Sequence, residues 1–221
     1  MCWSATADLA AGAGIAAAGA ACVATTVRRG RTHDLPLAAL PLLLGAHQIV
    51  EAALWAGGGG AGPATTAWAV IALPVLAAWV PLGVLAAAPA RARVRMVVPV
   101  AVGVATSAVL AHVLATRTVT ADIRGHTVGY AVGLPYPAWL LTGYLVATVG
   151  SLLLAPDRIL RLLGVLTGAG AVACALLWRT AFVSTWCALA AVASLTLLAW
   201  VRRPGTAAER GRPRADTDVL S

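Results

Sequence analysis

Long apolar runs separated by arginine clusters set the pattern of this chain. The first run covers residues 9–27 and ends at Arg28, Arg29 and Arg31. The second, 35–55, ends in glycines 57–60 and Pro63. The third, 64–88, ends at Arg91, Arg93 and Arg95, and the fourth covers 96–115. A polar loop over 116–135 precedes a fifth run, 136–155, closed by Asp157, Arg158 and Arg161. The sixth run is 162–178, and the seventh, 182–201, ends at Arg202 and Arg203. A hydrocarbon core of about 30 Å needs about 20 apolar residues as helix, and the runs have that scale. The pattern predicts an all-α, polytopic transmembrane bundle of seven spans over residues 1–203. The polar segment 204–221 is expected to be a disordered cytoplasmic tail, because it has little to bury.

The arginines orient the bundle. They cluster after runs one, three, five and seven, whereas the opposite connections hold Arg117, Arg124 and Arg179. Cytoplasmic loops carry the excess of Arg and Lys. Seven spans with the N-terminus outside and the C-terminus in the cytoplasm satisfy this without exception. The expected location is a bacterial-type inner membrane, with the lipid bilayer as the principal partner.

Composition sharpens the picture. The chain of 221 residues is 60% hydrophobic and 11% charged, against about a quarter charged in an average soluble domain. The net charge of +8 raises the question of nucleic acid. The arginines instead lie in short clusters between apolar runs, with no basic face and no interleaved aromatics, so no nucleic-acid partner is expected.

Polar residues at membrane depth are the candidate chemistry. Glu51 is the carboxylate that lies well inside a span, while Asp8 sits at the start of the first run, where it is expected to reach water. Residues four apart share a helix face, so His47, Glu51 and Trp55 line up, and Gln48 joins them three residues before Glu51. An ionisable residue at this depth normally faces the bundle and serves a purpose. It can lock helices together, contact a ligand or ion, or act as a general acid or base.

Four cysteines are present: Cys2, Cys22, Cys174 and Cys187. Cys22 reads as a small apolar residue within the first helix. Cys2 and Cys187 fall on the outer side near Glu51. They can pair as a disulfide in an oxidising compartment, or join His112 and Glu51 around a transition metal. No HxxxH, HExxH or CxxC spacing supports the metal locally, so no metal and no cofactor is expected. Trp3, Trp68, Trp139, Trp178 and Trp186 fall near outer boundaries, where amphipathic rings collect. Trp79 lies mid-span and is expected in the core. Gly164 and Gly168 form a GxxxG, expected to pack within the chain.

Several segments together resemble a known family. The start Met1-Cys-Trp-Ser-Ala-Thr-Ala7 is similar to that of small bacterial membrane proteins of unknown function beginning Met-Cys-Phe-Ser-Ala-Thr-Ala. Residues 35–42 with His47, Gln48, Glu51 and Trp55 resemble its second helix. Trp79-Val-Pro81, His126 with Tyr130, and 182–187 resemble later segments. The resemblance implies a seven-helix membrane fold and no particular activity.

The leading expectation is a non-enzymatic membrane protein with a polar pocket in its outer half for a small ligand or ion. Glu51, His47, Gln48, Cys2, Cys187 and Trp55 would bind it, as in a sensor or transport component. The alternative is an intramembrane metal-dependent hydrolase with Glu51 as base and His or Cys ligands. Catalytic residues and oligomeric state stay open.

Overall fold

A computed structural model describes residues 4–125, 127–176 and 182–203, with side chains described outside 174–188. Among the described residues the chain forms seven helical segments: α1 (Ala5–Arg28), α2 (Thr32–Ala56), α3 (Pro63–Ala87), α4 (Ala90–Thr116), α5 (Pro137–Leu154), α6 (Arg158–Leu176) and α7 (Phe182–Arg202). The first five are long and apolar enough to cross a membrane. The apolar face of α4 is turned outward, with Val94 78% and Val98 64% exposed. A water-soluble surface seldom tolerates such a band, and a hydrocarbon solvent favours it.

Prolines interrupt the helices in different ways. In α2 a turn at Ala39 separates Leu35–Ala38 from Leu40–Ala56, with Pro41 just beyond it. Proline lacks the N–H that would bond four residues back. Pro74 sits inside a π-helical turn, Ile71–Val75, of α3. The Tyr144 hydroxyl of α5 donates to the Ala72 carbonyl in this turn at 2.8 Å, satisfying part of the disturbed backbone. Pro81 and Pro99 are accommodated within continuous helix.

Trp79 departs from the expected core position. It is 38% exposed, and its indole N–H donates to the Pro36 carbonyl at 2.8 Å. The ring lines an apolar groove of about 340 Å³ together with Pro74, Leu82 and Ser107. The indole needed an acceptor, and the broken turn of α2 supplies one at the surface.

Glycines bring helices together. A Cβ at Gly45 would lie 2.7 Å from the Ala16 backbone nitrogen, and one at Gly19 would lie 2.6 Å from the Leu42 nitrogen. Helices α1 and α2 therefore run antiparallel in backbone contact. Gly103 of α4 makes the same approach to Ala77 of α3, and Gly164 of α6 to Leu153 of α5. The Gly164/Gly168 pair packs on α5 within the chain, as its spacing suggested. Helix α7 lies against α1, α2 and α6.

The larger core lies at the arginine end of the bundle. Trp200 is fully buried there beside Cys22, Leu37, Met96 and Leu197. Cys22 thus takes the packing role expected of it. The Arg31 and Arg203 guanidiniums flank the Trp200 ring at 5.4 and 5.1 Å. Arg29 donates to the Val201 carbonyl at 2.9 Å, Arg31 pairs with Asp34, and Arg203 pairs with Asp157. Cations placed on the last carbonyls of α7 suit the negative end of its dipole. The ends of α1 and α7 and the α5–α6 junction therefore meet on one side.

The opposite end carries a feature absent from the expected all-α layout. Within the 116–135 loop, β1 (Thr120–Arg124) pairs antiparallel with β2 (Thr127–Ala131) in the register Ala121↔Tyr130. Gly60, in the α2–α3 connection, exchanges backbone bonds of 2.7 and 3.1 Å with Ala121. Gly58, Gly59 and Gly60 all have positive φ, which glycine adopts freely, and this lets the connection fold up to the strand. A small cluster of Leu54, Ala121 and Val128 seals the hairpin to the bundle.

Candidate functional site

The candidate site lies under this hairpin. The α1–α2 contact decides which residues meet. In an antiparallel pair, moving one turn back along α1 means moving one turn forward along α2. A Cβ at Gly12 would come within 3.1 Å of Gln48 Cβ. Asp8, one turn earlier, consequently interacts with Glu51 and with the Trp55 indole.

Asp8 is accordingly not at a wet rim. Its residue exposure is 0%, and Glu51 is 2% exposed. The expectation that Asp8 reaches water is thus corrected: close glycine packing against α2 carries the first turn of α1 alongside Glu51 and Trp55. Ser4 caps this helix by accepting from the Ala7 N–H at 3.2 Å. The Asp8 carboxyl sits in the first turn, where the helix dipole favours negative charge.

Glu51 faces the bundle and is held from the hairpin. The Tyr130 hydroxyl donates to Glu51 Oε1 at 3.1 Å. Burial, with Glu51 beside it, pushes the Tyr130 phenol above the ordinary tyrosine range, so it remains a donor. The Tyr130 ring stacks on Trp68 with centroids 3.4 Å apart and planes 7° from parallel. On Trp68 there also rests the His47 imidazole, at 5.1 Å and 41°. The Trp55 indole interacts with Asp8 and the Trp68 indole with Glu51, although neither N–H reaches full hydrogen-bond geometry. Gln48 is buried at 3% exposure on the α1 side.

The structure thus brings together Glu51, His47, Gln48 and Trp55, and adds Asp8, Trp68 and Tyr130. Cys2 and His126 lie outside the described residues, as does the side chain of Cys187. The disulfide and metal alternatives that involve them therefore rest on the sequence. His112 is exposed on α4. Among the described residues no group of three or more His, Cys, Asp and Glu side chains could hold a metal.

The added residues left different traces in the sequence. Asp8 precedes Gly12, Ala16 and Gly19, small residues at helical spacing that mark a close-packed face. Tyr130 sits in a segment that flanks Gly125 with β-favouring residues on both sides, a hairpin signal. Trp68 looked like an interfacial ring. It is instead a wall of the site, whereas Trp139, 79% exposed beside Tyr136 at the start of α5, fits the interfacial role.

Comparison with known proteins adds a family. No curated protein and no solved structure is detectably similar to the chain. The model of a family of unknown function, DUF6629, matches residues 1–212. This match covers the helical bundle and the buried carboxyls alike, and it agrees with the resemblance to an uncharacterised family: the chain belongs to the DUF6629 family.

Proposed function

We propose that this chain is a non-enzymatic, multi-pass protein of the plasma (inner) membrane. Seven spans place its N-terminus outside and its C-terminus in the cytoplasm. Its outer half holds a small ligand or ion at the Asp8–Glu51 site, as a sensor or transport component does. The observation that carries the reading is the buried Asp8 carboxyl beside Glu51, walled by aromatic rings. Charged groups within a membrane are expensive and usually mark a functional path.

Two contacts support the topology. The arginine-bearing ends of α1 and α7 and the α5–α6 junction meet around Trp200, and the α2–α3 and α4–α5 connections meet through Gly60 and Ala121. This is the alternation that seven spans require. The hydrolase alternative would need ligands beside His47 from Cys2, His126 or the Cys187 side chain, which lie outside the described residues.

Accessibility labelling tests the reading. In a background without native cysteines, Thr120→Cys is expected to react with a membrane-impermeant maleimide in intact cells. Thr206→Cys is expected to react only after lysis. Labelling of Thr206→Cys in intact cells would refute the seven-span arrangement.

A further inference from the structure

Asp8 points to the ligand's charge. Neither of its oxygens accepts a hydrogen bond among the described residues, although its residue exposure is 0%. The ion pairs Arg31–Asp34, Arg124–Asp122 and Arg203–Asp157 do not involve it. The Trp55 indole stands beside Asp8 without completing a hydrogen bond; a buried carboxyl so placed is costly, and a bound cation lowers that cost. His47 Nε2 and the indole nitrogens of Trp55 and Trp68 are further buried atoms of the same site with no hydrogen-bond partner among the described residues.

The walls discriminate among cations. A hard metal such as calcium takes about six to eight oxygen ligands. Here the groups next to the carboxyls are the Trp55 and Trp68 indoles, whose N–H groups are donors. Among the described residues the Tyr130 ring and the His47 imidazole stand on the same side, with Gln48 buried next to them. Carboxyls flanked by aromatic rings suit a weakly hydrated organic cation, through charge, hydrogen bonding and attraction to ring faces. The Tyr130 hydroxyl now takes the position on Glu51 that a ligand N–H would take. It belongs to a hairpin tied down at Gly60 by two backbone bonds and by a small apolar cluster.

We propose that Asp8 and Glu51 form a binding site for a small protonated amine, which enters when the hairpin lifts Tyr130 off Glu51. The proposal rests on the reading of this site as a ligand site and names its ligand class.

The test is a titration of the full chain in lipid nanodiscs, read by the change in tryptophan emission, to which Trp55 and Trp68 at the site contribute among eight tryptophans. Methylammonium and tetramethylammonium chlorides are compared with sodium, potassium and calcium chlorides at equal ionic strength. Methylammonium is expected to give a saturable change. Asp8→Asn and Glu51→Gln are expected to weaken it by about tenfold or more. Tyr130→Phe is expected to tighten it several-fold, because a competing donor is gone, and Trp139→Phe to leave it unchanged. Should Asp8→Asn fail to fold, the opposite shifts of Glu51→Gln and Tyr130→Phe still decide. Saturation by inorganic cations alone would overturn the amine assignment while leaving a ligand site. A flat response to every salt, with hairpin amide exchange unaltered by each, would overturn the site reading as well.

Discussion

Leucine in place of Gly45 is expected to abolish the folded protein. A Cβ there would lie 2.7 Å from the Ala16 nitrogen and 2.9 Å from its Cα. Those are backbone atoms, so no side chain can swing aside. Overpacking usually costs about 1–3 kcal/mol where neighbours can adjust. With two backbones in contact the helices must separate, and the cost exceeds that range against a typical total of about 5–15 kcal/mol. Separation of α1 from α2 also takes Asp8 away from Glu51. Gly14→Leu is the control, since a Cβ at Gly14 meets nothing within 4 Å. Monodispersity in detergent and protease resistance check both variants: Gly14→Leu should behave as the parent and Gly45→Leu should not.

The second large effect is expected at Glu51, where two substitutions separate shape from charge. Glu51→Gln keeps an acceptor for the Tyr130 hydroxyl and should fold with little loss. Glu51→Leu leaves that hydroxyl buried without its acceptor, which costs about 1–3 kcal/mol. It also removes the group with which the Trp68 indole interacts. The folded fraction of Glu51→Leu is therefore expected to fall clearly below that of Glu51→Gln, measured by reversible unfolding in mixed micelles. Equal stability of the two would mean that the Tyr130 contact contributes nothing to holding the hairpin.

The legible part of this fold is the part with local signals. Apolar runs of helical length and the arginines at their ends are read one segment at a time, and residues 9–27 and α1 (Ala5–Arg28) nearly coincide. The face shared by His47, Glu51 and Trp55 follows from helical spacing alone, and all three reach the site. What escaped was non-local. Asp8 looks like a rim residue until the register of α1 on α2 is known, and that register is set by Gly12 and Gly45, which face each other across 33 residues of sequence. Tyr130 is 79 residues from Glu51, and its approach depends on the hairpin docking against Gly60. Trp79 departs from its expected place for a different reason. Apolar periodicity does not separate a protein-facing ring from a lipid-facing one, since both are surrounded by hydrocarbon.

The central claim is that the hairpin closes over the buried carboxyl through Tyr130 and Glu51. A double-mutant cycle with Tyr130→Phe and Glu51→Leu measures this most directly, with unfolding free energies for the parent, both single variants and the double. Directly contacting residues couple by about 0.5–3 kcal/mol. The account predicts a coupling in that range, with the double variant scarcely less stable than either single one. Strict additivity of the two losses would contradict it.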